Sequence, residues 1–144
     1  MKFQLTLIAS IFISGCVSIP DTSTELVNTT TTNKELCYDF DATVVTQRSH
    51  DYMTKCYGTV STIIPIGGAL TPISHTFDVM QEEIDGGIRF SVSNFVGYGL
   101  AEEIRSGEGE CTTKVNFYAV TSLWERHFDQ IDLAIQNKEF HCPM

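Results

Sequence analysis

The pattern of hydrophobic and polar positions switches period near the C-terminal end of this chain. Over "TKVNFYAV", residues 113–120, Val115, Phe117 and Ala119 alternate with Lys114, Asn116 and Tyr118. A period of two among β-branched and aromatic residues predicts a strand. In "TSLWERHFDQIDLAIQNK", 121–138, Trp124, Phe128, Ile131 and Ile135 fall at helical spacing, with Leu123, His127 and Ala134 beside them. An amphipathic helix therefore follows the strand directly. Thr121 or Ser122 is placed to cap it, with Glu125 three residues after Ser122 completing a capping box.

Upstream the pattern is mostly of the strand type. "DFDATVVTQ" (39–47), "SHTFDVMQ" (74–81) and "GIRFSVSNF" (87–95) read as strands, and the acidic turn "EEIDGG" (82–87) joins the last two as a hairpin. "GLAEEIRSG" (99–107) reads as a short helix with a glycine stop. "STIIPIGGALTPIS" (61–74) is strongly apolar yet broken by Pro65, Gly67, Gly68 and Pro72. It predicts a loop over the end of the core, with pocket lining or an exposed apolar patch as alternatives. Strands segregated from a C-terminal helix give an α+β class: a small antiparallel sheet packed by the C-terminal helix.

The N-terminal end is patterned differently. Lys2 precedes a mostly apolar run, "FQLTLIASIFI", and then Ser14, Gly15 and Cys16. One positive charge, about ten apolar residues and small residues before a cleavage point make a secretory signal, while a spanning helix needs roughly 20 apolar residues. Ile13-Ser14-Gly15-Cys16 resembles the lipobox of bacterial lipoproteins, usually Leu-(Ala/Ser)-(Gly/Ala)-Cys, with Ile in place of Leu. The resemblance implies cleavage before Cys16, a diacylglycerol on its thiol and an acylated new amino terminus. Several acyl chains, palmitate among them, anchor a protein stably. Val17 rather than Asp implies the outer membrane in Gram-negative members of that class.

Residues 1–15 are thus expected to be the signal peptide. Residues 16–36 carry the lipidated cysteine and a stretch rich in Thr, Ser and Asn, which has too few apolar residues to pack a core. It reads as a flexible tether with a reach of about 25 Å. Residues 37–144 form a single globular periplasmic domain. In an oxidising compartment its four cysteines, Cys37, Cys56, Cys111 and Cys142, are expected to be bridged. Of the three pairings, Cys37–Cys56 with Cys111–Cys142 is preferred because each pair brackets one local unit.

Charge narrows the partners. The chain carries nine Lys and Arg and eighteen Asp and Glu; loss of the leader removes Lys2 and no acid, taking the net charge from −9 to −10. Such a surface disfavours nucleic acid. It leaves contact with the membrane to the lipid on Cys16, and steers basic proteins toward Glu82, Glu83 and Asp85 or Glu102 and Glu103.

Motifs that carry chemistry are scarce. There is no Gly-x-Ser-x-Gly, no His-Glu-x-x-His and no Cys-x-x-Cys, so no catalytic residue, metal ligand or cofactor site is assigned. Ser49-His50 and Ser74-His75 are only neighbours in sequence, and Asp39-Phe40-Asp41 is too short a pattern to be specific. The expectation is a non-enzymatic accessory or protein-binding lipoprotein, either a subunit of an envelope assembly or an inhibitor of a basic protein. The alternatives are a small envelope-polymer hydrolase and a small-ligand carrier.

Overall fold

The computed structural model describes residues 18–143; the signal segment and Cys16 lie outside the described residues. Three helices, α1 (Ser23–Thr29), α2 (Ala42–Cys56) and α3 (Ser122–Ile135), accompany seven strands: β1 (Thr32–Tyr38), β2 (Thr59–Ile66), β3 (Ala69–Thr76), β4 (Asp78–Ile84), β5 (Gly87–Asn94), β6 (Gly97–Ser106) and β7 (Thr113–Ala119). Five strands form one antiparallel sheet in the order β1-β7-β6-β5-β4, and β2 and β3 form a separate two-stranded sheet. The fold is α+β, with the C-terminal helix packed on the sheet as its stripe requires.

Helices α2 and α3 cover one face. Phe90, Val92, Leu100, Ile104, Val115, Phe117 and Ala119 from the sheet meet Val45, Tyr52, Met53, Phe128, Ile131 and Ile135 there, and Phe117 stacks on Phe128 with ring centroids 5.4 Å apart. The other face is crossed by α1, whose Leu26 is wholly buried. The result is three layers.

That third layer corrects the reading of 16–36 as a tether for residues 18–36; residues 16 and 17 lie outside the described residues. Thr22 caps α1 by accepting from the Glu25 amide at 3.0 Å, and β1 pairs with β7 from Thr32↔Ala119 to Tyr38↔Thr113. A strand ladder satisfies the backbone whatever its side chains, and β1 is an edge whose residues alternate between half-buried and exposed. Composition therefore understated its order.

Two other elements exchange type. Of residues 39–47, 42–47 open α2 and Asp41 caps it, so the stretch is not a strand. Asp41 accepts from the Thr43 amide at 2.8 Å, and Val45, Ser49, Tyr52 and Met53 form the buried stripe. A serine in that stripe hid the helical period. Residues 99–106 lie in strand β6, not a helix: Ala and Glu favour helices, but this strand sits at the sheet centre, where pairing on both sides overrides propensity. Residues 74–81 span the end of β3 and the start of β4.

Residues 61–74 belong to the β2–β3 hairpin. Gly67 and Gly68 take φ of 59° and 85° at its tip, the pair of left-handed residues that a two-residue hairpin turn needs. Asp85 and Gly86 make the β4–β5 turn, tighter than the six residues expected. Thr121 occupies the N-cap of α3 without a side-chain capping bond, so the capping box does not form.

The disulfides are Cys37–Cys111 and Cys56–Cys142, with Cα separations of 5.5 and 5.1 Å. This overturns the local pairing. Cys37 lies on β1, whose neighbour is β7 rather than the next element in sequence, so the loop before β7 holds its partner. Cys142 returns along α2 to its last residue, and Phe140 packs on Tyr52 at 5.2 Å.

If residues 18–36 are integral to the fold, Leu26→Ala destabilises the protein by roughly 2–5 kcal/mol, as for other core leucines. Urea denaturation measures this; a loss near zero would restore the tether.

Candidate functional site

The five acidic residues expected to meet a partner divide between surface and interior. Glu102 is fully buried and Glu103 is 4% exposed, so neither is a surface contact and that expectation is corrected. They are consecutive on a central strand, so their side chains leave on opposite faces. Sequence reasoning missed this because it placed them on a helix.

Glu103 enters the α1 face. Arg89 donates to its Oε1 through Nε at 2.9 Å and Nη2 at 2.6 Å, and Arg105 reaches its Oε2 at 3.1 Å. The same Arg89 donates through Nη1 to Glu82 at 3.2 Å and to Thr24 at 3.0 Å, while the Ser23 hydroxyl donates to Glu82 at 2.7 Å. Arg89, Ser23 and Thr24 were not singled out from sequence. The signal was a lone arginine in an apolar strand, directly across from Glu103 in the register.

Glu102 enters the α2 face. Ser49 donates to its Oε1 at 2.7 Å, and Oε2 has no hydrogen-bond partner among the described residues. Burial pushes its carboxyl up to about 8 from an ordinary 4.5, and the Ser49 bond only partly opposes the shift. The side chain is thus largely protonated at neutral pH. Ser49 is engaged there, while His50 lies exposed beside Asp51 at 3.8 Å, so Ser49 and His50 do not form a nucleophile and its base.

A second buried polar cluster surrounds His127. The Tyr57 hydroxyl and the ring Nδ1 share a hydrogen bond at 2.7 Å, and the Tyr52 hydroxyl lies 3.4 Å from the same atom. Trp124 and Tyr57 stack on the ring with centroids 5.2 and 5.5 Å away. Burial, and secondly the charge of Arg126, pushes the imidazole down to about 4 from 6.5. His127 is a core histidine whose Nδ1 is hydrogen-bonded within the cluster.

The remaining predicted contacts lie at the surface. Strand β4 is the sheet edge opposite β1, and among the described residues no strand pairs with its outer side. Glu83 and Asp85 are exposed; Glu82 is half-buried and committed to Ser23 and Arg89. Beside this edge an open groove of about 360 Å³ runs between the β4–β5 turn and the first turns of α2. Ile84, Ile88 and Ile104 supply apolar lining, Thr43 and Thr46 border it from α2, and Glu83 carries its charge. An open backbone edge beside a groove with an acidic wall can accept an extended basic segment.

The His75 side chain lies outside the described residues, so the Ser74-His75 pair is not placed. Asp41 is the α2 cap, so Asp39 and Asp41 do not share a strand face. Among the described residues no three His, Cys, Asp or Glu side chains converge to hold a metal ion, and no helix is long and apolar enough to cross a membrane.

Glu102 generates a pH prediction. Its folded value lies above its unfolded one, so the stability tied to the protonated form is complete below about pH 4.5 and is lost as pH rises to about 8. Glu102→Gln copies the shape of the protonated acid. Its Tm should exceed the parent's by roughly 5–10 °C at pH 8 and match it within about 2 °C at pH 4. Thermal scans at both pH values check this; an equal gain at both would assign the effect to packing rather than charge.

Compared with protein-family models, with curated protein sequences and with solved structures, the chain has no match.

Proposed function

We propose that this chain is a lipoprotein of the bacterial cell envelope, held through lipid on Cys16 and facing the periplasm from the outer membrane. In this reading it is a non-enzymatic accessory module that binds a basic, extended segment of a partner protein along β4. The observation that carries the reading is the unpaired β4 edge beside the groove lined by Glu83, Ile84, Ile88 and Ile104.

Chemistry supports this choice of partner. A strand added to β4 hydrogen-bonds through its backbone, and alternate side chains enter the groove toward α2. Lysine or arginine there meets Glu83, and the net charge of the chain steers a basic partner inward. Acidic side chains along the edge also discourage two copies from pairing with each other. Glu102 and Glu103 take no part, since both are interior.

Two experiments test the reading. Full-length protein, purified in mild detergent and left oxidised, should capture one near-stoichiometric partner from envelope extract, and binding should weaken as salt rises. The Glu83→Lys, Asp85→Lys double variant should lose that partner by at least about tenfold in affinity while keeping the parent's Tm; undiminished capture would remove β4 from the account. Cys16→Ala should abolish incorporation of radiolabelled palmitate, and a variant that still labels would sink the anchor.

A further inference from the structure

Exposed apolar side chains are concentrated at one end of the molecule. Among the described residues six large hydrophobic side chains stand out as exposed: Ile19 at 41%, Val44 at 39%, Met80 at 47%, Phe95 at 89%, Val96 at 46% and Leu123 at 73%. All but Val44 lie at the end of the five-stranded sheet that bears the β5–β6 turn. Phe95 and Val96 are that turn. Tyr98 donates to the Met80 sulfur at 3.5 Å, and Leu123 opens α3 beside Trp124, which packs over Gly99. The β2–β3 hairpin, with its apolar sequence, is rooted at the same end, where the Phe77 amide donates to Gly58 at 3.1 Å and Asp78 pairs with Ser93.

The N-terminal segment joins the fold at this same place. The Tyr98 amide donates to the Pro20 carbonyl at 3.0 Å. Gly97 holds φ at 144°, and a Cβ there would meet the Pro20 oxygen at 2.6 Å and the Ile19 side chain at 2.7 Å. The close approach fixes Ile19 against the β5–β6 turn. Cys16 precedes Ile19 by three residues, which span at most about 11 Å when fully extended. The polar region of one leaflet is only about 5–8 Å thick. A cysteine whose acyl chains lie in the hydrocarbon therefore holds Ile19, and the turn beside it, at the lipid boundary.

We infer that the end of the sheet formed by Ile19, Met80, Phe95, Val96 and Leu123 docks on the surface of the bilayer that carries the Cys16 anchor. This rests on the lipoprotein reading, which supplies the lipid on Cys16. The occupant of the patch is the lipid headgroup boundary, into which Phe95 and Val96 dip. Full insertion is excluded, because an open strand edge such as β4 finds no hydrogen-bond partners in hydrocarbon. Docking this end turns the β4–β5 turn, Glu83 and the groove toward the opposite side, away from the membrane.

The test uses full-length protein in vesicles of zwitterionic phosphatidylcholine, with bromines on the acyl chains as quencher. Trp124 is the single tryptophan, so Phe95→Trp and Glu110→Trp are each made with Trp124→Phe. If that background fails to fold, both are read as differences from the parent that retains Trp124. Emission from position 95 should shift to the blue and lose most of its intensity in brominated vesicles, while position 110 in the β6–β7 loop should keep its intensity. No quenching at 95, or equal quenching at both positions, overturns the docking. Mass measurement of the same samples reads the anchor separately. Lipid on Cys16 without quenching at 95 overturns the docking alone, and an unlipidated, unquenched chain overturns both readings. An unlipidated chain still quenched at 95 overturns the anchor and supports the surface.

Discussion

Strand β6 places two adjacent carboxylates inside the protein, one on each side of the central strand, and the layers on either side form around the two solutions to that problem. An unpaired buried carboxylate is among the most expensive groups a fold can contain. On one side Glu103 is neutralised by Arg89 and Arg105. Arg89 has donors left over, and these reach Glu82 and the start of α1, so the charge pair holds the third layer in place. On the other side Glu102, among the described residues, has no cation and accepts from Ser49 alone. Its neutrality comes from a proton.

Two buried groups on the α2/α3 side respond to acidity in opposite directions. Glu102 favours its protonated form and loses stability as pH rises from about 4.5 to 8. His127 favours its neutral form; its folded value lies below its unfolded one, so the stability it contributes is complete above about pH 6.5 and is lost as pH falls toward 4. Between about pH 4.5 and 6.5 the two slopes oppose each other. These two groups therefore give the protein a flat stability maximum on the acid side of neutrality, with decline on either side.

How much of this was legible depended on whether local signals agreed with neighbours distant in sequence. The β7–α3 unit was clear because Val115, Phe117 and Ala119 alternate and Trp124 to Ile135 repeat at helical spacing, each pattern reporting a one-sided environment. Strand β6 was not, because it is buried on both faces: Leu100, Ala101, Glu102, Glu103 and Ile104 are all interior, so no alternation survives. Helix α2 was obscured by Ser49, a polar residue at a core position whose reason is Glu102 on another element. Of the candidate site, Glu83 and Asp85 were readable as surface acids. The groove beside them was not, since its walls come from segments far apart in the chain.

The bridge pattern bears on how the protein is made. Cys37–Cys111 and Cys56–Cys142 interleave along the chain, so neither closes a self-contained segment. In the exported lipoprotein proposed above, whose Cys16 thiol carries lipid, Cys37 and Cys56 are the first two free thiols to emerge, and they are not native partners. A bridge between them joins β1 to the end of α2 and must be reopened by thiol exchange once Cys111 arrives. In that reading, any chain that forms this first bond matures only after it is corrected, so interleaved bridges tie yield to disulfide isomerisation as well as to oxidising power.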